Sequence, residues 1–128
     1  MNSGSASAAL CMLTAAGSGA VIVAGSPVFF PLLPHIAQWA EAARTPVISP
    51  WREFAVAGGL FSYGTSVNAM FRRAAVFADR ILRGAEDPAT LPVEQPTTFD
   101  LTINLKTAKA LGLTIPPQFV SLADEVIE

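Results

Sequence analysis

Hydrophobic and polar positions follow two alternating periods along the chain. Ser5 to Ala16 is a run of small residues that can form a short helix, stopped by Gly17 and Gly19. Ala20-Val21-Ile22-Val23-Ala24 is a continuous β-rich run before Gly25, the pattern of a strand covered on both faces. Leu32, Ile36, Trp39 and Ala43 fall near one face and predict a helix over 31–44, with Pro31 and Pro34 in its first turn. Pro46 to Ser49 predicts a second short strand, closed by Pro50. Residues 52–56 predict one helical turn, broken by Gly58-Gly59. Leu60 to Tyr63 predicts a third strand. The strongest element is a helix over 66–83. Val67, Met70, Phe71, Ala74, Phe77, Ala78, Ile81 and Leu82 recur at spacings of three and four, Thr65 or Ser66 can cap its start, and Gly84 suits its end. After a proline-spaced connector over 84–97, Phe99, Leu101, Ile103 and Leu105 alternate with polar residues, which predicts a strand with one wet face. Lys106 to Leu111 predicts a short helix, Pro116-Pro117 a last helical turn, and 124–128 an acidic tail.

Strands alternating with helices in this order predict an α/β fold, with a parallel sheet, flanking helices and right-handed crossovers, in a single domain over 1–128. Ligands of such sheets sit at the carboxyl ends of the strands. That nominates the loops 25–30, 50–54 and 62–66, and within them Ser26, Phe29, Phe30, Trp51, Ser62, Tyr63, Thr65 and Ser66 as ligand-binding candidates. Aromatic and hydroxyl groups together suit a small organic ligand with an apolar body and a polar head.

Composition removes other chemistries. The 128 residues carry 52% hydrophobic and 14% charged side chains with a net charge of −2, so neither disorder nor nucleic-acid binding through a basic field is expected. One cysteine, Cys11, and one histidine, His35, exclude an internal disulfide and a multi-ligand Cys/His metal site. Ser26 lies in Ala-Gly-Ser-Pro-Val, not in a nucleophile elbow. Gly17-Ser18-Gly19 precedes a strand, where a dinucleotide fingerprint follows one. No catalytic constellation or cofactor is expected. No charge occurs before Glu41, yet in the poorly defined segment 1–16 Met1 to Ala9 lacks the basic start of an export signal, and the charge-free stretch Ser5 to Gly25 is diluted by Ser, Thr and Gly for a membrane span.

Each candidate also has a structural reading. Phe29 and Phe30 are more often loop anchors packed on a core than ligand stackers, and Trp51 and Tyr63 serve equally as packing residues. Arg52 can pair with Glu53. His35 is expected at the surface and Cys11 as a small core hydrophobe. The arginines at 72, 73, 80 and 83 are expected on a solvated face, and the Met70–Phe71 stripe in a core or an interface.

Two stretches carry a resemblance. Pro50-Trp51-Arg52-Glu53-Phe54, Gly58 to Gly64, Arg72-Arg73-Ala74-Ala75 and Asp79 to Gly84 form the first. Leu91 to Thr97, Ile103 to Pro117 and Ala123 to Ile127 form the second. Together they resemble the C-terminal part of ABC transporter substrate-binding proteins, of the tryptophan or aromatic amino-acid type. The resemblance implies a non-catalytic solute-binding component built as a type I periplasmic binding protein. Such proteins have two Rossmann-like lobes around a hinge, hold a small ligand in the cleft, and dock on an ABC permease. Loops 26–30 and 62–64 then fall at cleft-facing positions, and the family's location is periplasmic.

The same resemblance implies departures. Family members are more than twice this length, so the chain reads as a single partial lobe, a truncated paralogue or an excised C-terminal domain. Gly25-Ser26-Pro27 stands where many members carry an acidic residue. Surface left bare by the absent parts predicts a homodimer. A structural interaction module without a ligand, and a small stand-alone enzyme, are the alternative readings.

Overall fold

Short apolar runs at 21–23, 47–49 and 60–63 are too brief to bury anything alone, and they combine into one sheet. A computed structural model describes residues 3–128; of the N-terminal segment 1–16, Met1 and Asn2 lie outside the described residues. The chain forms two units, one from residues up to Gly64 together with Asp100–Glu128, the other from Thr65–Phe99.

The first unit holds a five-stranded sheet in the order β1 (Val21–Ile22), β2 (Val47–Ser49), β3 (Phe61–Gly64), β4 (Asp100–Asn104), β5 (Glu125–Ile127). β1, β2 and β3 are mutually parallel, β4 is antiparallel to β3, and β5 is parallel to β4. The expected α/β fold, a Rossmann-like sheet with flanking helices, is present; the sheet is mostly parallel, with β4 entering antiparallel to β3. The acidic tail is corrected to β5. Two of its charges are engaged: Asp124 accepts from the Leu101 amide at 2.8 Å, and Glu125 pairs with Arg52.

α1 (Ser3–Ala15) precedes β1. A 3₁₀ turn over Pro27–Leu32 leads into α2 (Leu33–Ala42), so the helix expected from Pro31 begins two residues later. Pro31 sits inside the 3₁₀ turn, and Pro34 at the start of α2 needs no amide donor. α3 (Arg52–Val56) follows β2, and α5 (Leu105–Ala110) and α6 (Pro117–Val120) follow β4.

The core joins Leu33, Ile36, Ala37 and Ala40 of α2 to Val23, Val47 and the fully buried Phe54. β1 is covered on one face only. Val23 is buried while Ile22 is 77% exposed, because the core around α2 covers only the face that carries Val23. The wet face expected of β4 is also overturned. Thr102 and Asn104 are buried, because Asn104 on that face donates to the Ala55 carbonyl of α3 at 2.9 Å. Cys11 is exposed and not a core residue, since α1 contributes Leu10 to the core, with Leu13 packed beside it. His35 is exposed, as expected.

The second unit is α4 (Val67–Leu82) with the segment that follows it. Ser66 caps α4 by accepting from the Ala69 amide. Gly84, at φ 68°, ends it: its own amide donates to Ile81 and the Ala85 amide donates to Arg80. The apolar stripe is present, yet no residue of α4 is buried.

Candidate functional site

Parallel pairing of β1, β2 and β3 puts their carboxyl ends at one edge of the sheet, and close approaches hold those ends together. A Cβ on Gly64 would overlap the backbone of Pro50 at its carbonyl, so only glycine lets the tip of β3 lie against the β2–α3 turn. A Cβ on Gly25 would stand 3.2 Å from the Pro50 ring. Pro50 is therefore flanked by the loop after β1 and the end of β3.

The aromatic candidates gather around this point. Phe30, 42% exposed, meets Trp51 edge to face, with ring centroids 5.6 Å apart and planes at 86°. Phe29 and Trp51 both pack partly against the core. Ser26 is half-buried at the start of the 3₁₀ turn. The buried indole Nε1 of Trp51 has no hydrogen-bond partner. A buried donor left unpaired costs about 1–3 kcal/mol, so this N–H favours any arrangement that brings an acceptor to it.

Ser62 lies elsewhere. It is 1% exposed inside β3, in register with Ser49 on β2 and Thr102 on β4, both equally buried. The three small hydroxyl residues form a row across the sheet on the face that carries α3. Tyr63 points to the opposite face and is 57% exposed.

Thr65 and Ser66 belong to the second unit. Both make contacts within α4: the Thr65 hydroxyl reaches the Met70 sulfur at 3.6 Å, and Ser66 is the cap. They line a groove of about 530 Å³ between α4 and the segment 94–98. Arg73 crosses it with a two-point ion pair to Glu94, while its guanidinium lies 4.7 Å from the centre of the Phe77 ring. Hydrogen bonding from Arg73 holds the Glu94 carboxyl below its usual range, and the same contact raises Arg73.

Arg52 is committed to a partner that local sequence could not show. Its Nε and Nη2 reach the two carboxylate oxygens of Glu125 at 2.7 and 2.6 Å, and this bonding raises its pKa. The expected partner Glu53 adds only a weaker field. Among the described residues no group of His, Cys, Asp and Glu could hold a metal ion. No helix among them is long and apolar enough to cross a membrane.

The fold has counterparts among solved structures. A conserved domain protein from Vibrio cholerae O1 biovar El Tor superposes with a TM-score of 0.86 at 24% identity, over 93% of this chain and 40% of that one. An ABC domain in complex with L-Trp from Streptococcus pneumoniae superposes with a TM-score of 0.82 at 24% identity, over 92% and 40%. A ligand-free, open substrate-binding protein with adhesive properties from Clostridium difficile gives a TM-score of 0.66 at 20% identity, over 99% and 42%. The chain thus spans about 40% of the length of the solved structures it resembles. No curated protein sequence matches it. The model of the ABC transporter substrate binding protein family matches residues 6–127, nearly the whole chain, and the protein belongs to that family.

Proposed function

We propose that the chain is the C-terminal lobe portion of a solute-binding component of an ABC-type uptake system. It holds a small organic ligand at the carboxyl ends of β1, β2 and β3 and performs no catalysis. The observation that carries this reading is the Phe30–Trp51 pair beside Pro50, with the unpaired Trp51 N–H behind it. Phe30 and Trp51 supply apolar faces, Phe29 backs them, and Ser26 and Tyr63 supply polar atoms. Ser62 supports the site from inside the sheet. The L-Trp held by the Streptococcus pneumoniae structure makes aromatic amino acids the first ligands to test.

One lobe covers one side of a ligand, so affinity of this chain alone is modest. The permease that such proteins serve, and a location outside the cytoplasmic membrane, belong to the same proposal. Titration calorimetry with L-Trp, L-Phe and L-Tyr tests it. Binding that weakens at least tenfold in both Phe30→Ala and Trp51→Ala supports it. No heat and no thermal shift with any of the three overturns the aromatic amino-acid assignment.

A second reading rests on the exposed apolar stripe of α4, which favours self-association. In that reading the chain is a homodimeric interaction module, whether or not it also binds a solute.

A further inference from the structure

The stripe of α4 is not uniformly bare. On one edge, Met70, Arg73, Ala74 and Phe77 line the groove beside the segment 94–98. On the other edge, Phe71, Ala75, Ala78 and Leu82 are all exposed, Phe71 by 71% and Leu82 by 85%. These four residues follow spacings of four, three and four, which makes them a straight seam with large ends and a small middle. A unit of this size, with no buried residue in its helix, has too little interior to cover the seam itself.

We propose that α4 packs antiparallel against α4 of a second copy of this chain through the seam Phe71–Ala75–Ala78–Leu82. This names the surface for the self-association stated above, and it rests on that reading. The pattern is self-complementary. In an antiparallel pair centred between residues 76 and 77, Phe71 faces Leu82 of the second copy and Ala75 faces Ala78. Large side chains meet large ones at both ends, and the alanines let the helices approach closely in the middle.

The charges agree with the same register. Arg73, Arg80 and Arg83 are tied to Glu94, Glu86 and Asp79 within the unit. Arg72 has no ion-pair partner among the described residues, and it lies with Asp79 on the same flank of the seam. Antiparallel pairing brings equivalent flanks together, so Arg72 approaches Asp79 of the second copy and shares with Arg83 a carboxylate of which only Oδ1 is engaged within the unit. Phe71 and Leu82 expose about 300 Å² per copy, and with their neighbours the pair buries about 1,000 Å², near the lower limit for a specific interface. A pair of that size is of the weak, transient class, whose dissociation is sought in the micromolar range.

Sedimentation equilibrium of the full chain from about 1 to 100 µM tests it, spanning that range. The expected result is a monomer–dimer equilibrium that F71E/L82E shifts at least tenfold toward monomer, with unchanged circular dichroism because both positions are exposed. A monomer throughout overturns self-association and this surface together. A dimer that survives F71E/L82E overturns this surface alone. Register is read separately, on a Cys11→Ser background. A mixture of A75C and A78C chains is expected to form the mixed disulfide faster than either chain forms its own, and equal rates overturn the antiparallel seam.

Discussion

Replacing Gly64 by alanine tests the packing that sets the strand ends. The new Cβ would overlap the carbonyl oxygen, carbonyl carbon and Cα of Pro50, all backbone atoms that cannot rotate away. The tip of β3 and the β2–α3 turn must separate, and such overpacking costs about 1–3 kcal/mol. Loss of glycine's freedom in the unfolded chain returns about 0.4–1 kcal/mol. Taking the middle of each range, about 2 less about 0.7, the net destabilisation is roughly 1.3 kcal/mol. Gly19→Ala is the matched control, because a Cβ there meets nothing within 4 Å, so only the unfolded-state gain remains. Equilibrium urea unfolding followed by tryptophan fluorescence measures both, since Trp39 and Trp51 lie in the sheet-bearing unit. Gly64→Ala within about 0.5 kcal/mol of the natural protein, a surface-substitution effect, would refute the close approach. Because Trp51 follows Pro50 directly, the same variant is expected to weaken any ligand held by the aromatic pair.

Two further outcomes follow from buried and paired polar groups. Asn104 donates to the Ala55 carbonyl at 2.9 Å and accepts from the Thr107 amide at 3.1 Å, so it ties β4 to α3 and caps α5. Asn104→Ala removes both bonds at a buried position and is expected to cost about 2–3 kcal/mol in urea unfolding; Asn104→Asp keeps the cap but sets a buried carboxylate against the Ala55 carbonyl oxygen, so it is expected to cost at least as much. Glu94 is held below the ordinary carboxylate range by Arg73, so its ion pair contributes fully above the unfolded value of about 4.3 and is lost as pH falls through the lower folded value. Carboxyl NMR is expected to show the Glu94 midpoint depressed in the natural protein and restored in Arg73→Gln; equal midpoints would remove the ion pair from the account.

Much of this fold is legible because local signals agree. α4 has a capping serine, an apolar stripe and a terminal glycine, and all three lie within 19 residues of sequence, from Ser66 to Gly84. β5 is illegible for the opposite reason. Asp124 and Glu125 read as solvated charges until their partners are known, and those partners, Leu101 and Arg52, lie 23 and 73 residues away. The direction of β4 is hidden likewise: the chain leaves the sheet at Gly64, forms the separate unit, and re-enters at Asp100 against β3. A helix placed directly after a strand signals a parallel crossover, and nothing local says that this excursion does not return that way.

The hydroxyl residues show where reading polarity as exposure fails. Ser62 suggests a ligand contact and Thr102 a wet face, yet both are buried in register beside Ser49. Small hydroxyl side chains fill little volume, and that lets a five-residue helix sit close over the sheet and carry Ala55 to Asn104. The same small volume makes these residues ambiguous in sequence, since serine serves a surface loop and a crowded sheet equally well. The strand tips are legible for a sturdier reason. Once β1, β2 and β3 run parallel, their carboxyl ends share an edge whatever the loops contain. What sequence could not supply is the part Pro50 plays there: a residue that ends one strand is also the surface against which two glycines of other segments close, and those glycines lie 25 residues before it and 14 after it.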